Sequence, residues 1–147
     1  MKELLTPSRV AFAFAGAFLL ATLLGFVPNP LVGPDALFET NTAHNLVHLA
    51  TAIGFIAFGF AGESASTKFM RVFGVTYLGV GVLGFLTLGE ANEGMLLGVV
   101  HINALDNYLH LGLGAAILAA GLWVTPRVAS AATSPTVAKS TPTSPPA

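Results

Sequence analysis

Polar residues interrupt the hydrophobic pattern of this chain at only a few places. Four apolar runs lie between them, at residues 10–27, 43–61, 72–88 and 105–124, and none contains Lys or Arg. Each is close to the ~20 residues that a helix needs to cross a hydrocarbon core ~30 Å thick. Backbone groups in lipid must be satisfied within the segment itself, which at this length means a helix. The pattern therefore predicts an all-α integral membrane four-helix bundle over residues 1–128. The first run is longer than the ~7–15 apolar residues of a signal peptide. Pro28, Asn29 and Pro30 follow it where small residues would be needed for cleavage, so it reads as an uncleaved helix. From Ala129 the chain runs ASAATSPTVAKSTPTSPPA, too poor in apolar bulk to pack, and residues 129–147 are expected to be a disordered cytoplasmic tail.

Composition agrees with this class. Hydrophobic residues make up 54% of the 147 positions and charged residues 9%, against about 25% charged in a typical soluble domain. There is no cysteine, which removes disulfides and thiolate metal sites. A net charge of -1 gives no reason to expect nucleic acid as a partner. The placement of charge is more informative. Lys2 and Arg9 precede the first run, Lys68 and Arg71 lie between the second and third, and Arg127 and Lys139 follow the fourth. With four spans, all of them fall on one side. The positive-inside rule makes that side cytoplasmic and places both termini there. The opposite loops carry Asp35, Glu39, Glu90 and Glu93 and no basic residue.

The polar residues at the mouths of the second and fourth runs repeat. NTAHNLVHLA at 41–50 aligns with NALDNYLHLG at 103–112, an offset of 62 residues. Asn41 matches Asn103, His44 matches Asp106, Asn45 matches Asn107 and His48 matches His110. Four of the six Asn and three of the four His fall in these two boxes. The chain reads as two parallel two-helix repeats about an axis along the membrane normal, an arrangement that larger transporters also use. At 100° per residue, the four polar positions of each box share one helix face.

If the two faces meet, His44, His48, Asp106 and His110 converge near the outer surface. Three imidazoles and a carboxylate at i and i+4 on two helices follow the ligand logic of a divalent metal site in a bundle, with Zn or Fe as candidates. Asn41, Asn45, Asn103 and Asn107 would surround it and orient the ligands. Other readings stay open. Asn and His at helix starts also cap backbone and clamp helices without any ligand. The chain would then be a structural or accessory subunit of a larger membrane complex or a homo-oligomer. A haem or chlorophyll could instead be held axially by His48 and His110. No nucleophile–base pair or nucleotide motif supports an enzyme. If the fourth helix reaches that far, His101 falls on the side opposite the box, and it is read as a loop or interface residue. Glu90 and Glu93 are read as solvated loop acids. Gly112, Ala116, Ala119 and Ala120 offer a small-residue face for helix packing.

The box pair also carries a resemblance. N-x-x-H-N-x-x-H opening the second helix and NALDNYLHLGLG opening the fourth resemble the bacterial membrane family catalogued as domain of unknown function 4383, over roughly residues 8–125. The resemblance implies a small four-helix protein of the bacterial inner membrane and brings no established activity.

Overall fold

The computed structural model describes residues 5–88 and 92–124. Helices α1 (Pro7–Phe26), α2 (Thr42–Phe60), α3 (Glu63–Thr87) and α4 (Ala104–Trp123) form an all-α four-helix bundle. All four are long and apolar enough to cross a membrane. Residues 129–147 and Glu90 lie outside the described residues, as do Lys2, Arg127 and Lys139.

Each helix buries one narrow stripe. Ala11, Ala15, Phe18 and Thr22 face inward on α1, and Met70, Gly74, Tyr77, Gly81 and Gly84 do so on α3. These steps of three and four residues are the seam spacing of helices that pack at a small crossing angle. Large apolar residues point out all round the bundle, among them Leu23, Ile53, Phe60, Val75, Leu86 and Trp123. An apolar helix exterior of this kind is compatible with a membrane protein.

The tightest seam joins α3 to α4. A Cβ added at Gly74 would lie 2.6 Å from the Leu118 amide nitrogen, and one at Gly114 would lie 2.8 Å from that of Leu78. Missing side chains let the two backbones approach. The expected α4 face differs from the observed one: Gly112 meets open space, and Gly114 and Gly121 make the contact.

Two features depart from the apolar pattern. Helix α3 starts at Glu63 rather than at residue 72, so Lys68 and Arg71 stand on the helix itself. Hydropathy marks what lipid accepts, whereas the helix continues for as long as its buried face does. Here that face is Ser66, Thr67 and Met70, with the Ser66 hydroxyl donating to the Phe58 carbonyl at 2.9 Å. The arginine stays at that end of the bundle, its Nε donating to the Gly121 carbonyl at 2.6 Å.

The connections at the other end also hold short ladders that the sequence did not announce. Strands β1 (Val32–Gly33) and β2 (Phe38–Glu39) pair in parallel, and β3 (Glu93–Leu96) and β4 (Val100–Asn103) form an antiparallel hairpin. The hairpin closes through Leu97 and Gly98, both at positive φ. Asn29 stitches the first connection, its amide donating to the carbonyls of Leu24 at 2.7 Å and Val32 at 2.9 Å.

Candidate functional site

Helices α2 and α4 begin in the same way. Asn41 caps α2, its Oδ1 accepting the His44 amide at 2.9 Å, and Asn103 caps α4 by accepting the Asp106 amide at 2.9 Å. In α4 the cap is reciprocal, because Asp106 Oδ2 accepts the Asn103 amide at 3.1 Å. The other halves of the two amides cross over. Asn41 Nδ2 donates to the Val99 carbonyl at 2.8 Å, and Asn103 Nδ2 donates to the Leu37 carbonyl at 3.1 Å. Leu37 and Val99 stand at the same sequence offset as the two asparagines, so each cap is tied to the connection that precedes the other helix.

The second asparagine of each box faces a glycine. Asn45 Nδ2 donates to the Gly25 carbonyl at 2.7 Å, and Asn107 packs against Gly84. A Cβ at either glycine would overlap the asparagine amide. The sequence suggested that the four asparagines orient metal ligands. In the fold, the side-chain hydrogen bonds of Asn41, Asn45 and Asn103 go to backbone, and Asn107 has no partner among the described residues.

The histidines do come together. One ring nitrogen from each of His44, His48 and His110 lies within 4.8 Å of the other two. Ring centroids are 4.5 Å apart for His44 and His48, and 5.7 Å apart for His44 and His110. All three are buried. The His44 Nδ1–H donates to the His101 carbonyl at 2.8 Å, which fixes the tautomer and leaves the Nε2 lone pair free. His48 Nδ1 and His110 Nδ1 are buried with no hydrogen-bond partner among the described residues. Three neutral imidazoles of this kind can hold a borderline divalent ion and leave a coordination position open. Asp106 is buried, with its Oδ2 engaged at the start of α4, and the group whose ligand atoms lie within 4.8 Å of one another comprises the three histidines.

A second group went unrecognised in the sequence. His101 lies on β4, and its Nε2 is 3.1 Å from Glu93 and 3.6 Å from Glu39. It therefore joins the first connection to the second, and its own carbonyl orients His44. The available signal was the offset itself, since Glu39 and His101 are separated by the same 62 residues as the two boxes.

A cavity of about 340 Å³ opens between α1 and α4, with His48 and His110 in its wall. Apolar residues such as Phe18, Ala21, Leu24 and Leu113 form most of its wall. Thr40, His48, Tyr77, Asp106 and His110 form the polar remainder.

A family model described as "Domain of unknown function (DUF4383)" matches residues 8–123. No curated protein matches the chain, and no solved structure does so.

Proposed function

The chain belongs to that family of unknown function, and we propose that it is a membrane-embedded metal-binding module whose ligands are His44, His48 and His110. The observation that carries this reading is the approach of three ring nitrogens to within 4.8 Å of one another in a buried setting. A tetrahedral Zn²⁺ bound to imidazole at ~2.0–2.1 Å would draw the three nitrogens to about 3.4 Å from one another, a closure that side-chain rotation can supply. The His44–His101 bond supports it, since metal-bound histidines usually donate their second ring nitrogen to a carbonyl or carboxylate. Asp106 supplies negative charge near the ion, and the asparagines hold the two helix starts in place.

A haem or chlorophyll between His48 and His110 is less well supported. A macrocycle there would run into His44, whose ring lies against both. The clamp reading draws support from the amides of Asn41, Asn45 and Asn103. It leaves the bare nitrogens of His48 and His110 without a role.

Metal analysis of the purified protein decides between metal and clamp. The expected result is about one zinc or iron per chain, lost in His48→Ala and in His110→Ala. Clean protein that takes up no divalent ion at neutral pH would leave only the clamp.

The proposed setting is the bacterial inner membrane, with both termini cytoplasmic and lipid covering the exposed apolar residues. Arg9, Lys68 and Arg71 stand at the end of the bundle opposite the boxes. Reporter fusions at Ala147 and beside Asp35 are expected to report opposite compartments. The same compartment for both would overturn the topology.

A further inference from the structure

We propose that the cavity between α1 and α4 binds a bilayer-soluble quinone, a flat ring with neutral oxygens on an apolar tail. The proposal goes beyond the metal site and does not require a metal, although His48 and His110 serve both.

The cavity is apolar except at one end, where His48 is 9% exposed, His110 4%, Asp106 3% and Thr40 0%. His48 Nδ1, His110 Nδ1 and Thr40 Oγ1 are buried with no hydrogen-bond partner among the described residues. Buried polar atoms left bare are costly, and a ligand oxygen at this end would satisfy them once a small side-chain rotation turns them towards it. An apolar wall with a few convergent polar groups is the usual form of a small-molecule site, and the volume lies near the lower end of the ~300–1,000 Å³ range.

The polar end also selects the head group. No Lys or Arg lines the cavity, and the Asp106 carboxyl stands at it, so an anionic head would sit beside an acid with no counter-charge. A neutral carbonyl or hydroxyl oxygen can accept from an imidazole N–H or from the Thr40 hydroxyl. Rings favour a flat partner. Phe18 and Tyr77 both line the cavity, edge to face with centroids 5.6 Å apart, and Phe38 adds a third ring. Ala17 and Leu20 of the wall are exposed on the flank of the bundle, so an apolar tail can leave sideways into lipid.

The test uses the full chain in phosphatidylcholine nanodiscs, with empty discs as reference. A decyl-substituted benzoquinone is titrated against the chelator-treated and the zinc-loaded protein. The expected result is saturable binding of one molecule per chain in the chelator-treated form. Ala17→Trp fills the wall from an exposed position and should weaken binding at least ~10-fold, with metal content unchanged. Thr40→Val keeps the shape, removes one hydroxyl and should weaken binding about five-fold, the effect of one neutral hydrogen bond. Decylbenzene, decanoate and decyltrimethylammonium carry comparable tails without the neutral oxygens and should not saturate. Partition equal to empty discs would overturn the proposal, as would unchanged affinity in both variants. Equal binding of any headless or charged analogue would overturn the quinone assignment. Failure of the metal site shows separately, as absent zinc with quinone binding intact.

Discussion

Zinc added to the metal-free protein is expected to stabilise it by roughly 2.7 kcal/mol when free zinc reaches about one hundred times its dissociation constant. The three rings converge only in the folded bundle, so the ion binds the native state and raises the melting temperature. In His44→Ala, His48→Ala and His110→Ala that rise should vanish, because two imidazoles make a poor site for this ion. The metal-free variants should lose less than a usual core truncation does, since the His48 and His110 changes also remove a buried nitrogen that has no partner. Two controls separate this site from its neighbours. His101→Phe removes the ring held by Glu39 and Glu93 but keeps the carbonyl that orients His44, so the zinc effect should persist. Asp106→Ala removes the acceptor of the Asn103 amide, a net loss of about 0.5–1.5 kcal/mol at the start of α4, without abolishing the zinc effect. Loss of the effect in His101→Phe, with retention in His48→Ala, would move the metal to the Glu39–Glu93–His101 group.

The helices and the polar boxes were legible in the sequence for different reasons. Length and hydropathy mark a span directly, so α1, α2 and α4 lie within three residues of the apolar runs. The start of α3 was not legible this way, because Ser66, Thr67 and Met70 are buried on a segment that also carries Lys68 and Arg71. The box residues could be placed on one helix face, and the offset suggested that the faces meet. What a face cannot reveal is which group each side chain takes as its partner. Spacing alone fits Asp106 as a ligand or a cap and Asn103 as a residue that orients ligands or a cap, and in the fold the two form a capping box with each other's backbone. His101, expected as a loop or interface residue, does join the two connections, but helical phase could not give its partners, because it lies on β4, where the period is two residues rather than 3.6. The hairpin itself was hidden by its turn, since its three-residue loop, Leu97, Gly98 and Val99, puts a leucine at positive φ and carries no Asn-Gly or Asp-Gly signal.

Gly74→Ala is expected to destabilise the bundle by about 1–3 kcal/mol, whereas Gly79→Ala, the same change on the same helix, should be neutral or slightly favourable. At Gly79 a Cβ meets nothing within 4 Å. At Gly74 it would lie 2.6 Å from the Leu118 nitrogen and 2.8 Å from the Leu118 Cα, and these are backbone atoms that no rotamer change can move. Helix α4 must then back away from α3, and it carries Gly114 against the Leu78 backbone within the same seam. His110 lies one turn from Gly114 with its ring 4.7 Å from that of Tyr77 on α3, so a displaced α4 also withdraws a ligand from the histidine cluster. Gly74→Ala should therefore weaken zinc binding although it touches none of the three histidines, while Gly79→Ala leaves it unchanged. Unfolding followed by circular dichroism in mild detergent gives the stability comparison, and zinc titration of both variants gives the second. Equal stability of the two variants would show that the α3–α4 seam is looser than its glycines require. A destabilised Gly74→Ala with full zinc affinity would show that the histidine cluster is held from the capped end of the bundle, by Asn41 and Asn103, rather than by the seam.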